Sequence, residues 1–308
     1  MKKKDILLSV LIVFLWGVNF TVIKLGLSGV PSMLLVSLRY LLSTFPAIFF
    51  IEKPKTEMKY IVLYGLTVGV GQFSCLFYAM QIGMPAGIAS VVLQTQAFIS
   101  PVFAMIFLNE KLKSRQIIGF IVSAIGLIFI AMASIGDGMN NVPVLAFILM
   151  LAAPTFWAVS NIIARIASDK AAAKGEKLNM ISMVVWSGLI PPIPMFGLAL
   201  MFDTPETLLG ILTNLSGISI FAALYLAYGA TLIGYGIWSI LIASYPLNKV
   251  APITLLVPIV ALLSARIILT EQLSPLQWIG FIVILTGLAI SNANININKF
   301  KKDLHFGR

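Results

Sequence analysis

The chain has 308 residues, of which 59% are hydrophobic and only 10% charged, with a formal net charge of +10 and a mean hydropathy of +1.01. Soluble domains carry about 25% charged residues, so disorder, a disulfide scaffold and a soluble two-domain enzyme are excluded in favour of a polytopic membrane protein. A single cysteine, Cys75, and a single histidine, His305, cannot build an internal disulfide, a cysteine-rich metal site or a histidine-based catalytic centre in the membrane, so no catalytic residue, metal or cofactor is expected.

Apolar runs of about 20 residues read as spanning helices. Ten are predicted: Ile6–Leu27, Pro31–Ile51, Tyr60–Met80, Ala86–Leu108, Gln116–Ala133, Val144–Ile166, Leu178–Met201, Ser216–Ala243, Val250–Leu269 and Leu276–Ile290. The opening Lys2-Lys3-Lys4 and apolar run mimic a signal peptide. Trp16, Asn19 and Lys24 interrupt the run and no small-x-small cleavage site follows, so it is kept as the first helix. Ser274-Pro275-Leu276-Gln277 predicts the start of the last helix: a serine N-cap, proline at the first position and glutamine at the third.

Basic residues alternate with the connections. Lys2–Lys4, then Lys53, Lys55 and Lys59, then Lys111, Lys113 and Arg115, then Lys170, Lys174 and Lys177, then Lys249, then Lys299, Lys301, Lys302 and Arg308 share one side. The other connections hold only Asp137, Asp203, Glu206 and Glu271. This pattern predicts both termini in the cytoplasm, and it makes the bilayer, not nucleic acid, the partner of the basic charge.

The two halves resemble each other at a constant offset of 161 residues: Glu110-Lys111-Leu112 matches Glu271-Gln272-Leu273, and Gly119-Phe120-Ile121-Val122 matches Gly280-Phe281-Ile282-Val283. Gly126-Leu127 matches Gly287-Leu288, Pro85 matches Pro246, and Tyr64 matches Tyr225. Trp16 and Lys24 mirror Trp157 and Arg165 at the same internal spacing. Five helices per unit is an odd number, so the second copy enters from the opposite face. The prediction is an all-α fold of two inverted repeats, residues 1–137 and 138–293, followed by a basic cytoplasmic tail at 294–308.

These strings carry a resemblance. Both halves resemble EamA-type units of the drug/metabolite transporter superfamily over nearly the whole chain. Trp16-Gly17-Val18-Asn19-Phe20, Gly83-Met84-Pro85-Ala86-Gly87-Ile88-Ala89-Ser90, Tyr235-Gly236-Ile237-Trp238 and Val250-Ala251-Pro252 are most similar to the bacterial exporters of O-acetylserine and cysteine. The resemblance implies a multi-pass carrier of the bacterial inner membrane that exports small amino-acid metabolites. It also implies that the fourth and ninth helices bend during gating, for which Pro101 and Pro258 are the candidates, though not at equivalent positions.

Polar groups at membrane depth are the candidate substrate contacts. Arg39 is the sharpest. It shares a helical face with Ser32 and Ser43, and its forked donor suits a carboxylate; the competing reading is an arginine bonded to carbonyls or snorkelling. Asn19 with Trp16 and Asn161 with Trp157 are near-equivalents that either line the pathway or glue helices. Tyr228, Thr231, Tyr235 and Trp238 form one stripe, and Gln94 and Gln72 complete the set. Lys24, Arg165 and Arg266, near helix ends, are expected to snorkel. Gly119, Gly126, Gly280 and Gly287, with Gly65 and Gly69, read as packing.

No aspartate or glutamate occupies the middle of any predicted span. Transport is therefore expected to run down the metabolite gradient, with no buried carboxylate relay. Alternatives are export of another small solute (threonine or homoserine, a purine, a drug-like amphiphile) and a passive channel. An intramembrane enzyme would need a nucleophile–base pair or metal ligands that the chain lacks.

Overall fold

The computed structural model describes residues 2–134, 142–245 and 250–292. All its elements are helical: α1 (Lys3–Leu27), α2 (Ser32–Phe49), α3 (Met58–Gln81), α4 (Ala86–Leu108), α5 (Ser114–Ser134), α6 (Val144–Ala173), α7 (Met180–Ser187 with Pro192–Phe202), α8 (Gly217–Ile242), α9 (Ile253–Ile268) and α10 (Pro275–Ser291). α1 to α6 and α8 are the 7 helices long and apolar enough to cross a bilayer; α7 is an eighth if its two arms, bent by 40°, count as one span. α9 and α10 are shorter apolar helices. Large side chains such as Phe14, Ile121, Met132 and Ile282 point outward and exposed, which is tolerable only against hydrocarbon. The predicted boundary at 137/138, the tail at 294–308, and Asp137, Pro246 and Lys249 lie outside the described residues.

Several predicted spans are corrected. α1 begins at Lys3 and α6 runs on to Ala173, past the predicted Ile166, because polar residues extend a helix beyond its apolar part. α2 breaks after Thr44 at Pro46 and resumes as a 3₁₀ turn, Ala47–Phe49. α7 splits at Gly188–Pro191, where proline cannot supply the N–H that would continue the ladder. A short helix, Pro205–Thr213, was not predicted; Thr204 caps it through the amide of Thr207 at 3.3 Å. The capping box at α10 is present: the amide of Ser274 donates to Gln277 Oε1 at 2.9 Å, and the amide of Gln277 donates to Ser274 Oγ at 3.3 Å.

Backbone irregularities recur at the offset of 161 residues seen in the sequence. α3 winds as a π-helix over Gly65–Gln72, and α8 does so over Tyr225–Ile233. α4 breaks after Leu93 and restarts at Gln96; α9 is 3₁₀ over Ala251–Leu256 and becomes α-helical at Val257. After α4, Asn109 turns left-handed at φ 54° and the amide of Glu110 donates back to the Ala104 carbonyl at 3.3 Å. After α9, Thr270 does so at φ 57° and the amide of Glu271 donates to the Ala265 carbonyl at 3.3 Å.

Packing follows the same correspondence. α1 lies against α8 and α9, and α6 lies against α3 and α4. α5 and α10 run in opposite directions, so closely that a Cβ on Gly119 would come within 2.6 Å of the Gly287 carbonyl and one on Gly126 within 2.6 Å of that of Gly280. The contact is reciprocal: a Cβ on Gly287 would meet the Gly119 carbonyl at 2.6 Å and one on Gly280 the Gly126 carbonyl at 2.7 Å. Ser123 Oγ fastens the seam by donating to the Ile284 carbonyl at 3.1 Å.

Candidate functional site

α2 carries Arg39 into the interior with 3% exposure. Its neighbours along the helix, Leu34, Leu35, Val36 and Tyr40, are buried as well, so the guanidinium does not snorkel. Its Nε donates to Thr231 Oγ1 at 3.1 Å, and its Cζ lies 4.2 Å from the centre of the Phe73 ring. Nη1 has no hydrogen-bond partner. Among the described residues no carboxylate pairs with Arg39. A cation held this way keeps an unspent donor in a medium where an unpaired donor is costly, and an anionic ligand would satisfy it.

Both π-wound segments contribute to a small cavity beside Arg39, whose partners Thr231 and Phe73 belong to its lining although Arg39 itself does not. Gly65, Val68 and Gly69 of α3 and Thr231 of α8 line a cavity of about 10 Å³ with Tyr40, Tyr64, Phe73, Val184, Ser187 and Tyr235. That is room for about one water. π winding leaves carbonyls to be satisfied otherwise and often marks functional sites. Here Thr231 Oγ1 donates to the carbonyl of Leu226 at 2.8 Å while accepting from Arg39, so one hydroxyl braces the wide turn and orients the guanidinium.

Tyr235 also joins an aromatic cluster behind the cavity. The Trp16 ring lies 5.5 Å from that of Tyr235 and 5.7 Å from that of Trp238, and Trp16 Nε1 donates to the Ala230 carbonyl at 3.1 Å. The predicted stripe is thus divided. Thr231 and Tyr235 face the cavity, Trp238 stacks on Trp16, and Tyr228 is half-buried outside the lining, because the wide winding resets the helical phase.

The remaining predicted residues are placed elsewhere. Gln94, at the break in α4, donates through Nε2 to the Thr254 carbonyl of the 3₁₀ segment in α9 at 3.0 Å. Asn161 donates to Gln96 Oε1 and Ser100 Oγ, both at 3.1 Å, which joins α6 to α4. Asn19 and Gln72 are buried outside the cavity lining, each with a carbonyl oxygen that has no hydrogen-bond partner. Pro101 lies inside the second half of α4. Pro258 sits in the first turn of the α-helical part of α9, directly after its 3₁₀ segment.

Sequence reasoning missed Tyr40, Tyr64, Phe73, Val184 and Ser187 as cavity walls. Tyr64 alone left a trace, its match to Tyr225 across the repeat, and Tyr225 itself packs outside the cavity with its hydroxyl on the Leu15 carbonyl at 3.0 Å. Lys24 does not snorkel: its Nζ donates to the Met80 carbonyl at 2.6 Å.

Known proteins resemble the chain throughout. A family model described as the EamA-like transporter family matches residues 3–132 and 144–293. A probable amino-acid metabolite efflux pump of Escherichia coli K12 is 41% identical over 293 residues, covering 94% of this chain and 95% of the relative. The protein of the same description in Salmonella typhimurium is 40% identical over 291 residues, covering 94% and 95%. A protein of known crystal structure has the same fold, with a TM-score of 0.61 at 16% identity over 94% of this chain and 97% of the other. This multi-pass, all-helical membrane chain belongs to the EamA-like transporter family.

Proposed function

We propose that the chain is a secondary exporter of small amino-acid metabolites, cysteine and O-acetylserine foremost, in the bacterial inner membrane. It works by alternating access. All ten apolar segments cross the bilayer as two inverted five-helix units, residues 1–137 and 138–293. The recurring π windings, helix breaks and left-handed turns, together with the reciprocal glycine seam, support that arrangement. The lysine-rich face is cytoplasmic, with both termini and the 294–308 tail on that side.

Arg39 carries the reading. An amino-acid carboxylate is the ligand that completes a forked donor whose Nη1 is unpaired, and the faces of Phe73, Tyr40 and Tyr235 suit an ammonium group. Trp16, Asn19, Gln72, Gln94, Asn161, Tyr228 and Trp238 belong to the surrounding pathway, with Pro101 and Pro258 in the bending helices. The relatives described as probable amino-acid metabolite efflux pumps support the same solute class. A zwitterion moves no net charge, so the membrane potential, worth about 2.3 kcal/mol per unit charge at 100 mV, neither helps nor opposes it.

The test is efflux of cysteine and O-acetylserine from cells expressing the wild type, Arg39→Ala or Arg39→Lys at equal membrane abundance. Losing the charge-assisted contact should slow efflux by about 30-fold in Arg39→Ala, with Arg39→Lys falling between. Wild-type cells that release neither solute faster than empty-vector cells would overturn the substrate assignment. Full activity in Arg39→Ala would remove the arginine from the site.

A further inference from the structure

The left-handed turns after α4 and α9 have the same backbone, and a glutamate follows each. Glu271 reaches the first turn of α4, where its Oε1 accepts the amide of Ala86 at 2.8 Å and its Oε2 accepts that of Gly87 at 3.0 Å. Both oxygens are spent on amides that a helix start leaves open, and the sign of the charge suits that end of the helix. Lys24 completes the junction. Its Nζ spans the carbonyls of Met80 at 2.6 Å and Met84 at 3.4 Å in the α3–α4 connection, and it is attracted by the Glu271 charge. Leu262 of α9 closes over Gly87, so tightly that a Cβ there would lie 2.7 Å from Leu262 Cδ2.

On the lysine-rich face, Glu110 occupies the equivalent position and pairs with Arg165. Its Oε1 lies 3.8 Å from Arg165 Nη2, with the two side chains 53% and 59% exposed. The turns differ in strain as well. Asn109 tolerates the left-handed region, whereas the β-branched Thr270 is held there against its preference. Strain held by a surrounding contact is a feature of switches.

We infer that Glu271 is a gating residue: its bidentate grip on the start of α4, beside Lys24, is the latch that holds the lysine-poor face shut and must release for discharge on that side. The inference rests on the alternating-access reading, but its readout needs no substrate.

The reporter is a cysteine at Leu262, 7% exposed beneath the latch, in a Cys75→Ser background. Intact cells are labelled with a membrane-impermeant maleimide. Loss of two charge-assisted bonds should speed labelling by about tenfold in Glu271→Ala. Glu271→Gln, which keeps one acceptor, should fall between, and Lys24→Met should give a smaller rise. Glu110→Ala should leave the rate at the parental value. Should Glu271→Ala fail to reach the membrane, Glu271→Gln and Lys24→Met carry the test. Parental labelling in the Glu271 and Lys24 variants, or an equal rise in Glu110→Ala, overturns the latch. Cysteine efflux by the same cells shows whether the carrier reading stands when the latch falls.

Discussion

α5 and α10 meet along glycines with nothing between their backbones, whereas α3 and α8, another pair matched across the repeat, wind wide on either side of the Arg39 cavity. The first pair is a seam without adjustable parts: each glycine abuts a carbonyl of the facing helix, so neither rod can slide or turn without collision. The second pair keeps a spare residue in each wide turn and lines the small cavity with side chains, so its winding is not fixed by backbone contact. Rigidity and adaptability are thus assigned to different helix pairs. This division suits a carrier that must rearrange around a fixed point.

Three substitutions probe that division. The largest effect is expected in the seam: Gly126→Leu forces a side chain where even a Cβ would lie 2.6 Å from the Gly280 carbonyl. It should cost about 3 kcal/mol, read as a lower melting temperature in detergent. A melting temperature equal to wild type would mean that the seam yields, and the contrast would collapse. Next comes the adaptable pair. Thr231→Val keeps the shape but removes the acceptor for Arg39 Nε and the donor to Leu226, and it should slow efflux by about tenfold with little loss of folded protein. Unchanged efflux would show that the guanidinium needs no orienting partner. The smallest effect is Ser123→Ala, which removes one hydrogen bond to Ile284 across the seam. Interhelical polar bonds in membranes average about 0.6 kcal/mol, so only a slight melting shift is expected, with transport intact. A collapse as large as that of Gly126→Leu would mean that this bond, not backbone contact, fastens the seam.

Much of this arrangement was legible in the sequence because it is local or repeated. Ser274 and Gln277 announced the start of α10, since a capping box is written in four residues. The glycines of α5 and α10 announced a close approach, because at helical spacing a missing side chain has few other uses. Arg39 announced a buried polar centre by its cost alone, and it is 3% exposed. The wide turns were hidden. Gly65–Gln72 and Tyr225–Ile233 read as ordinary helix, because their extra residue is accommodated by tertiary contacts.

The breaks in α4 and α9 were hidden for another reason: the prolines Pro101 and Pro258 are not equivalent, whereas the helices restart at Gln96 and Val257, which are. Lys24 was misjudged because its carbonyl partners, Met80 and Met84, lie more than 50 residues away in sequence, at |i−j| of 56 and 60. Asn161 reads in the sequence as much like a ligand as a brace, because its partners Gln96 and Ser100 are distant, at |i−j| of 65 and 61.

The reciprocity of the glycine seam bears on ancestry. Gly119 meets Gly287 as Gly280 meets Gly126, so the surface that each helix offers is complementary to an upside-down copy of itself. A five-helix unit packed against an upside-down copy of itself would make the same contact without further change. Drift at any one of the four glycines is thereby opposed by its facing partner as well as by its own helix.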